Sequence, residues 1–277
     1  MFYKICLSQI SIKLFFSLLL FMKTQWDYTT LAKAYLQRAD YANAAIDALL
    51  TLSGFPQNAN KSAYICDVGA GVAHLTLMLA ERGHKIEAVE PNDAMRELGI
   101  ERTQKLIDKN IVRWHEGTGE KTNQPANIFD IVSFGSSFNV CDRDLALKES
   151  HRLLKDGGYF MCLWNHRDLD DAIQSEIEGI IRRHIPTYGY GTRREDQREI
   201  IEQSGLFENV VQLSSRVVFQ QKRNDCIEAW RSHATLQRQA GSEFLAIISD
   251  IEQFLNVRGK DTLPVPYTTH AWIAKKK

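Results

Sequence analysis

The chain has 277 residues, enough for one large α/β domain or two small ones, with 44% hydrophobic and 25% charged residues, as in an ordinary water-soluble globular protein. Its 34 lysines plus arginines balance 34 aspartates plus glutamates, so no overall basic field marks it for nucleic acid. The five cysteines are odd in number with no pair at CxxC spacing, which argues against a disulfide framework or a zinc site and for a reducing cytoplasm.

Residues 1–21 form an apolar extension, ISIKLFFSLLLFM at its heart, too short to span a bilayer comfortably and lacking a small-residue cleavage site. An upstream extension before a folded chain starting at Met22, a weak membrane anchor and a secretory signal all stay open; any membrane contact is confined to this segment. Residues 26–52 carry apolar positions at helical spacing and predict an N-terminal helical cap, ended by GFPQNAN. Residues 63–68 (AYICDV) read as a buried strand, 72–82 as a helix, 85–90 (KIEAVE) as a strand and 92–107 as a helix. IVRWHEG is a third strand, IFDIVSFG a fourth and 144–155 a helix, which DGG is expected to end. YFMCLWN (159–165) is a fifth strand. Residues 169–184 and 192–204 read as helices, ENVVQLSSRVVFQ as a sixth strand, 223–256 as a mostly helical insertion and LPVPYTTHAWIAK as a last strand. Alternating strands and helices predict a doubly wound, mostly parallel sheet. The basic pairs Arg182-Arg183 and Arg193-Arg194 read as solvated faces.

Gly69 and Gly71 sit where the first strand turns into its helix, a place where backbone can approach a ligand and the helix N-terminus favours polar or anionic groups. Glu90 ends the second strand 19 residues after Gly71, before Pro91, where a carboxylate can accept both hydroxyls of a ribose. A nucleoside-bearing cofactor follows. GAGVAH has His74 in place of the third glycine of a dinucleotide fingerprint, and no P-loop GK[ST] occurs.

Asp67-Val68-Gly69-Ala70-Gly71, then EGTGE (116–120), FDIVSFGSSFN and LLKDGGYFMCLWN, resemble in order the four motifs of the Rossmann-like S-adenosylmethionine-dependent methyltransferases, in particular the UbiE and trans-aconitate methyltransferase-like branch. Ala73 stands where many members have a third glycine. The resemblance implies a seven-stranded sheet with the last strand antiparallel, in one domain spanning 22–277 with a helical lid at about 223–256. It implies S-adenosyl-L-methionine as cofactor. Gly69, Ala70 and Gly71 would contact its methionine and ribose portions, Asp67 its amino group, Glu90 the ribose, and Thr118 and Gly119 the adenine edge. Ser133, Gly135 and Ser136 would face the sulfonium, while Tyr28, Tyr35 and Arg38 close over the cofactor. Where relatives commonly have an apolar-His-aromatic cluster, this chain has Ser137-Phe138-Asn139-Val140, so Asn139 sets its acceptor chemistry apart.

His166, placed just past the fifth strand, is the candidate general base; His184 and His233 have weaker claims. Arg231, on the predicted lid beside Trp230 and His233, is the candidate carboxylate anchor, since a guanidinium fork matches a carboxylate bidentately. No acid–base pair stands out, which favours a small-molecule acceptor that is a carboxylate or another readily ionised nucleophile. An RNA or protein methyltransferase, or a cofactor-binding regulator without catalysis, remains the alternative.

Overall fold

The computed structural model describes residues 27–56 and 61–277; the extension at 1–21 and a start at Met22 lie outside the described residues. Seven strands form one sheet: β1 Tyr64–Val68, β2 Lys85–Val89, β3 Val112–His115, β4 Phe129–Gly135, β5 Leu154–Arg167, β6 Phe207–Lys222 and β7 Thr262–Lys276. Their order is β3-β2-β1-β4-β5-β7-β6. β1 to β5 run parallel, whereas β7 pairs antiparallel with both β5 and β6. The chain goes outward from β1 in one direction and then returns to β4 on the other side. That reversal opens a crevice at the carboxyl ends of β1 and β4, where open α/β sheets bind ligands.

The central strands are apolar on both sides because helices cover both faces. On one face Ile46, Leu49 and Leu50 of α2 (Asn43–Leu52) and Leu75, Met78 and Leu79 of α3 (His74–Glu81) pack with Ile65, Ile86 and Ile131. On the other, Ala146 and Leu147 of α5 (Arg143–Leu153) and Ile201 of α7 (Arg198–Gln203) pack with Val132, Phe134 and Phe160. Asn92 caps α4 (Asp93–Ile107) by accepting from Met95 N–H, and Asp142 caps α5 by accepting from Leu145 N–H.

A third apolar cluster lies beyond the sheet. Ile177 and Ile181 of α6 (Ala172–His184) meet Ile227 and Trp230 of α8 (Arg223–Arg231), Leu236 of α9 (Ala234–Ala240) and Ile247 and Ile251 of α10 (Phe244–Val257). The helical segment between β6 and β7 therefore shares its core with α6, which the sequence pattern treats as a separate helix.

Three elements differ from the sequence expectation. The helix expected over 26–52 is interrupted: a 3₁₀ turn at Thr29–Leu31 and α1 (Ala32–Tyr35) precede α2. The break is held by distant partners. Ala42 N–H donates to Thr269 Oγ1 at 2.8 Å, and Asn165 Nδ2 donates to the carbonyls of Ala39 (3.2 Å) and Asp40 (2.7 Å). DGG does not cap α5. That helix stops at Leu153, Leu154 already pairs with Phe129, and Gly157 (φ +73°) turns in a bulge before Tyr159 pairs with Ile131. The helix expected over 192–204 is a 3₁₀ turn, Gly191–Arg194, followed by the short α7; Gln197 Nε2 bonds the carbonyls of Thr192 and Glu195 between them.

Candidate active site

A cavity of about 1040 Å³ opens at the carboxyl ends of β1, β2 and β4. That is at the top of the roughly 300–1,000 Å³ range of single-ligand pockets, so it has room for more than one small molecule. Its lining joins the glycine turn, the ends of β2 and β4, the loop after β3, the N-terminal cap and the helices between β6 and β7.

The glycine turn comes first. Gly69 and Ala70 N–H donate to the Val89 carbonyl at 2.8 and 3.0 Å, tying the turn to the end of β2. Gly69 has φ +67°, and a Cβ there would lie 2.4 Å from the Ser137 Cβ, so both backbone and space require glycine. Ala73 also adopts a left-handed conformation (φ +73°), the geometry a third glycine would accept without strain. His74 is the first residue of α3; its Nε2 donates to the Tyr35 carbonyl at 2.9 Å and its Nδ1 lies 2.7 Å from Asp40 Oδ1. The residue that breaks the dinucleotide fingerprint thus anchors the cap.

Two buried carboxylates follow. Glu90, 6% exposed, accepts from Gly71 N–H and Asn92 N–H, both at 2.9 Å. Burial outweighs these bonds and raises its carboxyl to about 7. Each oxygen retains a lone pair for a further donor. Asp67 accepts from Thr76 Oγ1 (2.6 Å) and Ser133 Oγ (2.9 Å), with burial raising it to about 6. Ser133 is fully buried and outside the lining, which corrects its expected place at the sulfonium: it orients Asp67.

Gly135, Ser136 and Asn139 do line the cavity. Ser136 is left-handed (φ +61°) and its Oγ lies 2.9 Å from Tyr41 Oη. Asn139 Oδ1 accepts from Trp164 Nε1 at 2.8 Å. Pro91, Thr118 and Gly119 line the same end; Gly119 is pressed against Cys141, whose Sγ would lie 2.4 Å from an added Cβ. Tyr28 and Tyr35 meet edge to face at 5.6 Å, and the Arg38 guanidinium stacks 3.8 Å above the Tyr35 ring. Arg38 also donates from Nε to Ser232 Oγ (2.8 Å) and from Nη2 to the Ser232 carbonyl (2.9 Å). Cap and inserted helices are thereby joined over the cavity.

His166 and Arg231 are not in the lining. His166 lies within β5, opposite Thr268 of β7, because that strand runs two residues further than its apolar core suggests. Its Nε2 donates to the Arg193 carbonyl at 2.9 Å, and burial with Arg193 and Arg194 nearby lowers it to about 3. It is a neutral support for a neighbouring segment, with no route to a cavity proton. Arg231 pairs with Glu228 (2.5 Å) and Glu252 (2.9 Å), on the side of α8 that meets α10. His184 pairs with Asp250 at 2.8 Å, also away from the cavity.

Sequence reasoning missed Tyr41, Arg167, Tyr190, Arg193 and Tyr267, all lining residues. Arg193 is half-buried, so only Arg182-Arg183 of the two basic pairs fits the solvated-face reading. The available signal was Arg167, two residues after the strand expected over 159–165.

The family profile described as "Methyltransferase domain" matches residues 66–162. The ubiquinone/menaquinone biosynthesis C-methyltransferase UbiE of Zymomonas mobilis is 26% identical over 160 residues, 56% of this chain and 65% of that protein. An uncharacterised methyltransferase of Mycobacterium tuberculosis is 31% identical over 149 residues, 53% of this chain and 54% of its own length. The chain thus matches between about half and two thirds of the length of these relatives. Among solved structures, a protein of Anaeromyxobacter dehalogenans superposes with a TM-score of 0.55 at 17% identity, covering 87% of this chain and 97% of that one. YcgJ of Bacillus subtilis gives 0.51 at 18% identity, covering 83% and 97%. At such identities these two likenesses concern the fold.

Proposed function

We propose that the chain, whose residues 66–162 match the methyltransferase-domain profile and which is similar to UbiE-type relatives, transfers a methyl group from S-adenosyl-L-methionine to a small-molecule acceptor. The observation that carries this reading is the pair of buried acids, Glu90 and Asp67, facing one cavity beside a glycine turn that admits no side chain at Gly69. Glu120 and Asp142 line the same end. Four acids gathered at one end of the cavity suit a ligand with a sulfonium and an amino group.

Glu90 would hold the ribose hydroxyls, Asp67 the amino group, and Thr118 and Gly119 the adenine edge. The cofactor supplies an electrophilic methyl group on sulfur. The chain's own contribution is to hold the acceptor in line and exclude water. Such positioning is worth up to roughly 7–11 kcal/mol. Tyr28, Tyr35 and Arg38 from the cap and Ala229, His233 and Thr235 from the inserted helices enclose the site. Glu90 and Asp67, the lining carboxyls raised towards neutral pH, are assigned to the cofactor; on the acceptor side, burial raises Tyr41, and burial with Arg193 nearby holds His233 well below its ordinary value. An acceptor that ionises without help fits this environment.

Enclosure between cap and lid disfavours RNA or protein as acceptor. The names of relatives such as UbiE favour a second reading, C-methylation of a quinone precursor, which the matched cofactor half of the chain leaves open. Labelled methyl donor incubated with the full chain and with small-molecule, RNA and protein fractions tests the proposal. Label in the small-molecule fraction alone is expected; label only in a polymer fraction would overturn it, and no label anywhere would favour a binding protein without catalysis.

A further inference from the structure

The cavity is divided by charge. Its acids, Asp67, Glu90, Glu120 and Asp142, belong to the end of β1, the loops after β2 and β3, and the start of α5; Arg167 and Arg193 line the opposite side, from the end of β5 and the 3₁₀ turn that follows α6. Neither arginine forms an ion pair among the described residues. The acids nearest them in the chain are engaged elsewhere, Asp168 with Arg216 at 2.7 Å and Glu195 with Arg143 at 3.4 Å. Glu178 is taken by Arg182 and the Tyr190 hydroxyl.

The charged and ring neighbours of the two guanidinium groups are cations and aromatics, and Arg193 Nη2 donates to the Asn165 carbonyl at 3.3 Å. Arg167 stacks 4.0 Å above the Trp230 ring and 5.4 Å from the Tyr267 ring. Arg193 has Arg38, Arg194 and Arg167 as its charged neighbours, and burial with these cations lowers it to about 10, still charged at neutral pH. Both carry a buried Nε–H without a partner. Leaving such donors unmet is destabilising, the more so for charged groups.

His233 points the same way. Its Nδ1 accepts from Leu236 N–H at 3.2 Å, which puts the ring proton on Nε2. That Nε2–H lies 3.1 Å from Arg193 Nη1, itself a donor. Two donors face each other across the cavity wall, and an acceptor atom within reach of both satisfies both. Arginine forks match carboxylates and phosphates bidentately.

We propose that Arg167, Arg193 and His233 form an oxyanion subsite, holding a phosphate ester or carboxylate group of the methyl acceptor away from the reacting atom. Arg38, stacked on Tyr35 at the cap and bonded to Ser232, stands between the two sides. The proposal rests on the methyltransferase reading for the identity of its occupant, and the test separates the two. S-adenosylhomocysteine is first titrated into the full chain by calorimetry. Inorganic phosphate and succinate are then titrated, each into protein saturated with S-adenosylhomocysteine.

At least one anion is expected to bind alongside the cofactor product, phosphate alone indicating a phosphate ester and succinate alone a carboxylate. Arg193→Gln and, separately, Arg167→Gln should weaken that anion tenfold or more, and Arg193→Lys less. S-adenosylhomocysteine affinity should stay within twofold in all three. No binding of either anion, equal binding by wild type and both Gln variants, or mutual exclusion between anion and S-adenosylhomocysteine would overturn the subsite. Failure of S-adenosylhomocysteine itself to bind would overturn the cofactor reading instead. The anion titrations into protein alone would then decide the subsite by the same variants.

Discussion

Glu90 joins local structure to chemistry most directly. Its carboxylate accepts two backbone N–H groups, so it shapes the turn as well as facing the cavity. Hydrogen bonds to a charged group are worth about 1.5–3 kcal/mol, and Glu90→Ala should weaken S-adenosylhomocysteine by roughly tenfold or more; equal calorimetric affinities would remove the ribose assignment. The raised carboxyl also sets a pH dependence. Between the ordinary value near ~4.3 and the folded value of about 7, the native ligand-free protein binds more protons than the unfolded chain, so stability falls as pH rises through that window. The loss attributable to Glu90 is about 2–3 kcal/mol, and Glu90→Gln should remove it in denaturant titrations at pH 5 and 8. Cofactor binding has the opposite sign, because ribose hydroxyls donate to the ionised form. S-adenosylhomocysteine should bind roughly tenfold more tightly at pH 8 than at pH 6, and a flat profile would show that Glu90 is already ionised. At Gly69 the constraint is steric: Gly69→Ala combines a left-handed backbone with a 2.4 Å clash and should cost more than about 1 kcal/mol, read as a lowered unfolding midpoint.

At the scale of elements, the contact that matters most is between cap and lid. Arg38 makes both of its bonds to Ser232, the residue that ends α8, across 194 positions of sequence. Arg38→Ala should therefore raise hydrogen exchange in α8 and α9 together with the cap, and weaken the cofactor. Exchange confined to the cap would mean that the lid stands on its own packing. Arg231 gives the contrasting case. It sits one position before Ser232 but pairs with Glu228 and Glu252, on the side of α8 that meets α10 and away from the cavity. Exposed pairs of this kind contribute about 0–1 kcal/mol, so Arg231→Ala should leave turnover and cofactor affinity within about twofold, and a large loss of turnover would bring that arginine back into the site.

For the whole molecule, the design is one cavity shared by three parts that cannot enclose it separately. The sheet supplies the acidic end, the cap covers it, and α6 with α8–α10 makes a core of its own from Ile181, Trp230 and Ile247 against Leu263 and Tyr267 of β7. Ligand binding should couple them. At a hundredfold excess over its dissociation constant, S-adenosylhomocysteine should stabilise the native state by about 2.7 kcal/mol. One cooperative transition shifted upward by both circular dichroism and tryptophan fluorescence is expected. A lid signal that melts separately and ignores the ligand would contradict the coupling.

The Asp67 and Glu90 half of the acidic end was legible because it is local, whereas Glu120 and Asp142, from later segments, were not singled out. Asp67, Gly69, Gly71 and Glu90 fall on one strand–turn–helix–strand unit, where spacing along the chain dictates position in space. The mostly parallel sheet followed from the alternation of elements, and its seven strands with an antiparallel last one from the motif resemblance. The cationic end was not legible, because nothing local marks it. Arg167 reaches the cavity only because β5 continues past its apolar core, and Arg193 only because His166 pins the turn that carries it. Arg231 was chosen over its neighbours from a helix whose inward side the sequence cannot reveal, since both sides of that helix meet protein. Local hydrogen bonding and periodicity determine which elements form; which residues of an inserted helix face a ligand depends on how distant helices pack, and that is decided by the tertiary structure.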